Sequence, residues 1–512
     1  MIWRLSQWLR FGARKKIICK VRILGAKERK IALEVRHLLP VLIRKKNVRY
    51  MKLHVKNCGA IGEGSIDLSK RITLLCGENG TGKTYFSYMV YGLLQTRFHV
   101  KSDEKIVEKL INNKTVDFPI DYKKIMEYRK NMLESAKENV DSIFGISTID
   151  AKKIFKGLQI DFLDSDEEAS DILKKAKIEK KAKVQGIQVV LSKNAGADMV
   201  NLKIIDNEIP SDALISFNFL LFSFVYYTLS VYPLSGVEVF PVERNSIYTF
   251  SKELSIRKQE AWDNLQMLVD KERKVNKFDI FFNSKRYPWP VRDGLMVAED
   301  LVEKKKSMSP YYDFAEEIEN DLLHGVVQVS NDGEIQFKPL KSTSTVLPIQ
   351  MTASVVKTLS SLVVYLKYIA HENDLIIIDE PEINLHPDNQ IVIARILVKL
   401  ANKGFRLLVS THSDYVIREF NNMVMMSQLK NKDTLLHSWN YSKEEMLNPK
   451  ILAVYTFKYK TKRSKRVVIE PIEVSETGFS VKSIDRTIEF QNSVGEELFY
   501  LLKYTDDENE NT

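Results

Sequence analysis

The chain has 512 residues, of which 44% are hydrophobic, so it can bury a large core and is not a disordered protein. Its length predicts roughly two to four structural units. The formal net charge is +10, but residues 1–50 hold 15 Lys and Arg against 2 acids, whereas the rest of the chain holds 62 basic and 65 acidic residues. This nearly neutral body argues against a protein that binds polyanions over its whole surface, while a local basic face remains open.

Residues 1–50 form a basic N-terminal extension in which apolar residues such as Trp3 and Trp8 are mixed with basic runs. A secretory signal needs an uninterrupted apolar core, and this segment has none. Two interpretations remain: an arm that binds a membrane surface or nucleic acid, or a flexible extension read through ahead of a natural start at Met51. We favour the second, because the regular pattern of strands begins at Met51.

The three cysteines, Cys19, Cys58 and Cys76, are scattered along the chain and form no CxxC pair. This usage is typical of a protein in a reducing compartment, and it predicts a cytoplasmic location. It also gives no indication of a metal site built from cysteines.

Residues 51–95 are predicted to form an N-terminal lobe that carries a phosphate-binding loop. Two short strands come first, followed by an apolar strand at 72–76 and a helix at 83–95. Between that strand and helix, residues 77–84 read GENGTGKT, the pattern of Gly, four residues, Gly, Lys and Thr. We expect the backbone N–H groups of this loop to surround a polyphosphate at the helix N-terminus. The predicted nucleotide-binding residues of the loop are Gly77, Glu78, Asn79, Gly80, Thr81, Gly82, Lys83 and Thr84.

Two side chains of this loop have separate predicted roles. Lys83 is expected to reach the β and γ phosphates of ATP, which makes it a catalytic residue as well as a binding residue. The hydroxyl of Thr84 is expected to ligate Mg²⁺. The alternative is a Gly-rich turn that matches the pattern by chance, and the strand and helix on either side argue against it.

The middle of the chain is predicted to hold two helical insertions around one core segment. Residues 96–213 read as charged and mostly helical, and residues 251–323 read as a second helical insertion that is a partner-binding platform or a lid. The core segment, 214–250, begins with an uncharged run, 214–234, whose length would permit a membrane span. Polar residues interrupt that run and a strand follows it, so we predict a helix buried inside the protein. Arg244 follows the strand, where a side chain can sense a phosphate.

Residues 324–440 are predicted to form the C-terminal lobe and to supply the second half of the site. Within it, residues 374–380 (DLIIIDE) read as a buried strand that ends in two carboxylates. Next to a phosphate loop, Asp379 is expected to hold Mg²⁺ and Glu380 to polarise the attacking water. A later strand leads to His412, which can hydrogen-bond the γ phosphate and report its loss.

Together these motifs resemble ABC-type ATPases of the OLD, RecF and SMC-like group. Within that group the chain is most similar to compact AAA-type ATPases encoded in bacterial anti-phage defence operons. The resemblance implies the α/β fold of an ABC-type P-loop NTPase, ATP and Mg²⁺ as cofactors, and homo-oligomers built from head-to-tail dimers that close around two nucleotides. The matching motifs are residues 77–84, 375–380, 384–387 and 411–413.

The signature of that group, two serines, a glycine and then a basic or amide residue, takes the form ASVVK at residues 353–357. The resemblance makes Ser354 a donor to the γ phosphate across the dimer, supported by the N-terminus of the helix that follows. Val355 departs from the pattern, because it replaces the glycine that lets the backbone approach the phosphate.

Residues 441–512 are predicted to form a small C-terminal β-rich cap with an acidic tail, and we recognise no TOPRIM nuclease in them. We therefore predict an ATP-hydrolysing switch or sensor without a membrane span. It would control a separately encoded effector, such as a nuclease or toxin, through ATP-dependent assembly. Two alternatives remain open: a RecF-like DNA-repair ATPase that binds DNA directly, and an ATP-binding assembly scaffold with little turnover.

Overall fold

The computed structural model of the protein describes residues 51–206, 213–249, 287–340, 345–430, 433–461 and 464–509. The basic extension, 1–50, lies outside the described residues, and so do residue 250 and much of the second insertion, 251–286. The interpretations of the extension therefore stay predictions.

A nine-stranded mixed sheet forms the centre of the described chain. Its strand order is β5-β1-β2-β16-β15-β3-β14-β13-β9. These strands are β1 (Lys52–Cys58), β2 (Ile61–Asp67), β3 (Ile72–Gly77), β5 (Gln159–Phe162), β9 (Val237–Phe240), β13 (Leu375–Asp379), β14 (Arg406–Ser410), β15 (Leu452–Tyr459) and β16 (Val467–Ile472). Two smaller antiparallel sheets accompany it and consist of β4 (Thr115–Pro119), β6 (Ile178–Val184), β7 (Ile187–Lys193) and β8 (Met199–Ile204), and of β10 (Gly325–Val329), β11 (Ile335–Pro339) and β12 (Leu347–Pro348).

Helices pack on both faces of the main sheet. In chain order they are α1 (Lys83–Gln95), α2 (Glu104–Asn113), α3 (Tyr122–Glu138), α4 (Val140–Phe144), α5 (Thr148–Ile154), α6 (Asp166–Lys175), α7 (Ala213–Val231), α8 (Trp289–Glu299), α9 (Leu301–Lys304), α10 (Tyr312–Ile318), α11 (Ser354–Tyr368), α12 (Pro387–Asn402), α13 (Asp414–Gln428), α14 (Asp433–Ser438) and α15 (Lys482–Asn509). A π-helical turn, Glu319–Leu323, follows α10, and short 3₁₀ turns lie at Ile349–Met351, Lys443–Glu445 and Pro449–Ile451. The predicted α/β fold of a P-loop NTPase is confirmed.

The central strands are apolar because both of their faces are covered. In β13, Ile377 packs into the core on the α1 side, whereas Ile376 and Ile378 pack into the core on the opposite side with helices α11 and α12. The strands β3, β14, β13 and β9 run parallel to one another. Parallel strands buried on both faces read as continuous apolar runs, which explains why the sequence pattern located them.

The uncharged run predicted as a buried helix is α7. Its polar side chains find partners inside the protein: Tyr227 donates to the carbonyl of Leu94 at 2.8 Å, and Ser223 accepts from the backbone N–H of Val100 at 3.0 Å. In the described part of the chain no helix is long and apolar enough to cross a membrane.

The prediction of a mostly helical insertion at 96–213 is incomplete. This segment contains helices α2 to α6, but it also contains a four-stranded antiparallel sheet in the order β4-β8-β7-β6. In addition, β5 joins the edge of the main sheet by pairing with β1. The strand β6 (IEKKAKV) is buried only at its two ends and alternates exposed with half-buried residues between them, and its lysines give it the composition of a solvated helix.

The prediction of a separate C-terminal β-rich cap is wrong. β15 pairs in parallel with β3, and β16 pairs with β15 and with β2, so both strands belong to the main sheet. The last described element is a helix, α15 (Lys482–Asn509), and not a strand of a cap. Strand partners far apart in sequence decide this arrangement, and a local pattern does not contain them.

Candidate functional site

The phosphate loop connects β3 to α1 as the sequence predicts. Gly77 has a φ of 140°, and an added Cβ there would lie 2.3 Å from the carbonyl oxygen of Phe457 in β15. Gly82 has a φ of 94°, and its Cβ would lie 2.9 Å from Ile61. Both positions therefore need glycine. The C-terminal strand β15 thus supports the loop directly, which the sequence did not indicate.

Lys83 is the first residue of α1, and its ammonium group is turned back into the loop. Its Nζ donates to the carbonyl oxygens of Gly77 at 3.1 Å and Glu78 at 3.0 Å. Burial lowers the pKa of Lys83, while the nearby carboxylates of Glu380 and Asp379 act in the opposite direction. Within the loop, Thr81 donates to the carbonyl of Glu78 at 2.7 Å, which fixes the turn.

Thr84 and Asp379, the two residues predicted to hold Mg²⁺, are in direct contact. The Thr84 hydroxyl donates to Oδ2 of Asp379 at 2.7 Å. The other carboxylate oxygen, Oδ1, accepts a hydrogen bond from the hydroxyl of Ser410, the last residue of β14. Sequence reasoning did not select Ser410, although its place at a strand end beside the Thr411–His412 pair is a usable signal.

Glu380 lies directly after β13 in a backbone conformation that is rare for a side-chain-bearing residue, with a φ of 48°. Its backbone N–H donates to the hydroxyl of Ser410 at 3.2 Å, and its side chain is 33% exposed. Burial raises the pKa of this carboxyl, and the charges of Asp379 and Glu382 raise it further.

His412 lies beside Glu380. Its Nε2 is 3.6 Å from Oε1 of Glu380, a close approach that is longer than a hydrogen bond. Burial and the charge of Lys83 lower the pKa of His412 to about 4, so the imidazole is neutral near pH 7. The structure therefore brings Lys83, Thr84, Asp379, Glu380 and His412 together at one edge of the sheet.

Arg244 lies behind the carboxylates and is only 3% exposed. Its guanidinium donates to the carbonyl oxygens of Asp379 and Glu380, both at 2.8 Å, and to that of Pro241 at 3.0 Å. Burial lowers the pKa of Arg244 to about 10, and the carboxylate of Glu382 is the largest opposing influence. Its contacts hold the backbone of Asp379 and Glu380 in place. The predicted phosphate-sensing role of Arg244 stays a prediction.

Ser354 is the first residue of α11 and is exposed to solvent. Within the described residues it makes no hydrogen bond to the phosphate loop of its own chain. The exposed helix N-terminus leaves backbone N–H groups available to an anion. Its predicted role across a dimer stays a prediction.

The fold and site can be compared with known proteins. One solved structure similar to this chain is the Smc head bound to the C-winged helix domain of ScpA, with 11% identity, 83% of this chain and 98% of that chain covered, and a TM-score of 0.32. A second is the Smc head domain with an extended coiled coil bound to the C-terminal domain of ScpA from Pyrococcus furiosus, with 13% identity, 87% of this chain and 98% of that chain covered, and a TM-score of 0.32. A third is the SMC head domain from Thermotoga maritima, with 13% identity, 83% of this chain and 98% of that chain covered, and a TM-score of 0.28. No curated protein matches the chain.

The family described as AAA ATPase domain matches residues 51–417. The match begins at the first described strand and includes the phosphate loop, both carboxylates after β13 and His412. Since it spans most of the sequence, the chain belongs to the AAA ATPase domain family.

Proposed function

We propose that this ATPase binds Mg-ATP between the phosphate loop and the end of β13, hydrolyses it, and uses the cycle as a switch that controls a separate protein. The observation that carries the proposal is the 2.7 Å contact between Thr84 and Asp379, which are 295 positions apart in sequence. The fold alone brings these two groups to the same point, beside Lys83 and next to Glu380.

The residues present fit Mg²⁺. Hydroxyl and carboxylate oxygens are the donors that this ion prefers, and Thr84 and Asp379 supply one of each. Among the described residues no group of three or more His, Cys, Asp or Glu could hold a metal ion on its own. This fits an ion that protein and nucleotide phosphates hold jointly. When bound, Mg²⁺ would neutralise charge on the phosphate oxygens.

Glu380 is the group proposed to orient and polarise the attacking water. Its carboxylate is partly exposed, so water can reach it, and its raised pKa makes it a stronger base than an ordinary surface carboxylate. Lys83 is proposed to move its N–H donors from the carbonyls of Gly77 and Glu78 to the β and γ phosphates.

His412 is proposed to report whether the γ phosphate is present. Its neutral imidazole lies next to Glu380 and close to the charge of Lys83, the group proposed to bind the phosphates. A neutral ring can donate one hydrogen bond to a phosphate oxygen and loses that partner after hydrolysis. The exposed N-terminus of α11, with Ser354, is proposed to complete the site from a second copy in a head-to-tail dimer.

The helix α15 supports the proposal of a protein partner. Residues 489–503 of this helix are exposed and carry large apolar side chains, and the acids Glu489, Glu496 and Glu497 lie among them. Exposed apolar clusters rimmed by charge mark interaction sites, and the acids favour a partner with a basic rim. We propose that the partner is an effector such as a nuclease or toxin in the cytoplasm, as the resemblance to anti-phage ATPases implies. The exposed apolar residues are Phe490, Val494, Leu498, Phe499, Tyr500, Leu501 and Leu502.

The experiment that tests this proposal is phosphate release from Mg-ATP by the purified protein, alone, with duplex DNA, and with the products of the neighbouring genes. Turnover that changes only with a neighbouring gene product supports the switch. Duplex binding that weakens steeply with salt and stimulates turnover would instead support a DNA-repair ATPase. Nucleotide binding without turnover would support an assembly scaffold.

A further inference from the structure

Glu382 is a carboxylate beside the site that none of the roles above uses. It lies in the turn between β13 and α12, and its side chain, in a residue only 9% exposed, reaches the end of β14. Its Oε1 accepts hydrogen bonds from the Thr411 hydroxyl at 2.7 Å, the His412 backbone N–H at 2.7 Å and the Ser413 backbone N–H at 3.2 Å. One carboxylate oxygen therefore binds three consecutive residues.

These three bonds fix the segment that carries His412. Ser413 is the N-cap of α13, and the first N–H groups of a helix need acceptors from outside it. A carboxylate at this end is also favoured by the helix dipole. One of these bonds holds the backbone N–H of His412 itself, so it fixes the position from which the His412 side chain extends. It therefore helps to set the 3.6 Å distance between His412 Nε2 and Glu380 Oε1.

The geometry also argues against a role for Glu382 as a second general base. Oε1 is occupied by its three donors, and Oε2 is buried without a hydrogen-bond partner in the described part of the chain. An oxygen without exposed surface does not receive a proton from an attacking water. Glu380, whose side chain is 33% exposed, has that access.

We propose that Glu382 is a positioning residue that couples the turn after β13, residues 380–386, to the His412 segment after β14, residues 411–413. Any movement of the turn is transmitted through one carboxylate oxygen to His412. The proposal rests on the proposed function, because it assumes that ATP is hydrolysed at this site.

The test compares kcat and KM for ATP in the full-length chain carrying Glu382→Ala, Glu382→Gln, His412→Ala, and Glu382→Ala with His412→Ala. Misplacement of a catalytic group by about 1 Å can reduce turnover on the order of 10²-fold, so we expect Glu382→Ala to lower kcat by about that factor with KM unchanged. Glu382→Gln keeps an oxygen for the same three donors and should restore most of kcat. The double variant should turn over at the rate of the weaker single variant, because both changes act through His412.

The matched control is Glu445→Ala. Glu445 is also buried, at 8% exposed, and accepts from the Ser442 backbone N–H at 2.8 Å in a cap away from the phosphate loop. It should lower the thermal midpoint without changing kcat. If Glu382→Ala does not fold, Thr411→Val removes one of the three donors and should lower kcat while Glu382→Gln does not.

The proposal is overturned if Glu382→Gln loses as much turnover as Glu382→Ala, if the effects of Glu382→Ala and His412→Ala multiply, or if KM rises instead of kcat falling. A wild-type protein that binds ATP but does not turn it over would refute the proposed function instead. The two failures are therefore distinguishable in the same set of measurements.

Discussion

Replacing Glu380 by Gln removes one charge from the edge of the sheet and leaves the surrounding hydrogen bonds in place. The backbone N–H of Glu380 donates to Ser410, and its carbonyl accepts from Arg244 at 2.8 Å, so neither bond depends on the side chain. The side chain is 33% exposed, and its carboxylate forms no hydrogen bond with a buried group among the described residues. We expect the free energy of unfolding to stay within about 0.5 kcal/mol of the wild-type value.

Turnover should respond very differently. Loss of one positioned acid–base group lowers the rate by about 10² to 10⁴, which corresponds to about 3 to 5 kcal/mol of activation free energy. We expect kcat for ATP to fall within this range. The Kd for Mg-ATP should hardly change, because Lys83 and Thr84 are untouched. Single-turnover phosphate release and calorimetric binding measure the two quantities separately.

The pH dependence of turnover gives an independent check. Burial, then Asp379 and Glu382, raise the pKa of Glu380, while Lys83 and Arg244 act against them. A general base works only when deprotonated, so wild-type kcat should decrease as the pH falls through a value above the ordinary Glu pKa. His412, with a pKa lowered to about 4, stays neutral across this range. The Gln variant should lack this acidic limb.

The matched control is Glu372→Gln, which removes an exposed carboxylate near the opposite end of β13 and should keep wild-type turnover. Undiminished hydrolysis by Glu380→Gln, or an unchanged acidic limb, would remove Glu380 from its proposed role. Since the variant retains ATP, it should also populate the closed head-to-tail pair. Light scattering would show this as a gain in mass with Mg-ATP that is absent with Mg-ADP.

Three further perturbations test other parts of the site. Lys83→Ala should leave a folded protein without measurable ATP binding in calorimetry, because it removes the charge proposed to bind the β and γ phosphates. Wild-type affinity would contradict the assignment. Arg244→Lys cannot serve three carbonyl acceptors in the same geometry, so it should cost about 1 to 3 kcal/mol of stability in denaturant unfolding and lower kcat more than it raises KM; an unchanged midpoint would show that its hydrogen bonds contribute little. A chain that begins at Met51 should fold and hydrolyse ATP at the full-length rate, and a loss confined to DNA or lipid binding would instead support the basic-arm interpretation of residues 1–50.

The phosphate loop and the carboxylate strand were predictable because their signals are local. The predicted helix 83–95 is α1, and the apolar run before Asp379 is β13. In both places a strand buried on two faces is followed at once by polar residues that the chemistry requires. Periodicity and motif spacing are sufficient where neighbours in sequence supply all the information.

The C-terminal strands show where local signals are insufficient. β15 and β16 read as a small independent unit, yet β15 lies between β3 and β16 and contributes the carbonyl of Phe457 that abuts Gly77. The alternation of residues in β16 indicates a strand without indicating its partner. The helical prediction for the segment that contains β6 was incomplete for a related reason. The lysine-rich composition of β6 is typical of a solvated helix, but its pairing with β7 makes it a strand with buried positions at both ends.

Strand order explains where Arg244 and Glu382 lie. β13 lies between β14 and β9 in parallel register, so the three strands end at one edge, with Asp379 and Glu380 at its centre. The chain after β9 supplies Arg244, which holds the two carboxylate residues from one side through their carbonyls. The chain after β14 supplies the His412 segment on the other side, and Glu382 reaches across to hold it. The proposed catalytic carboxylate, Glu380, thus follows a strand whose two parallel neighbours both lead into segments that support the site, and such supports become visible only once the strand order is known.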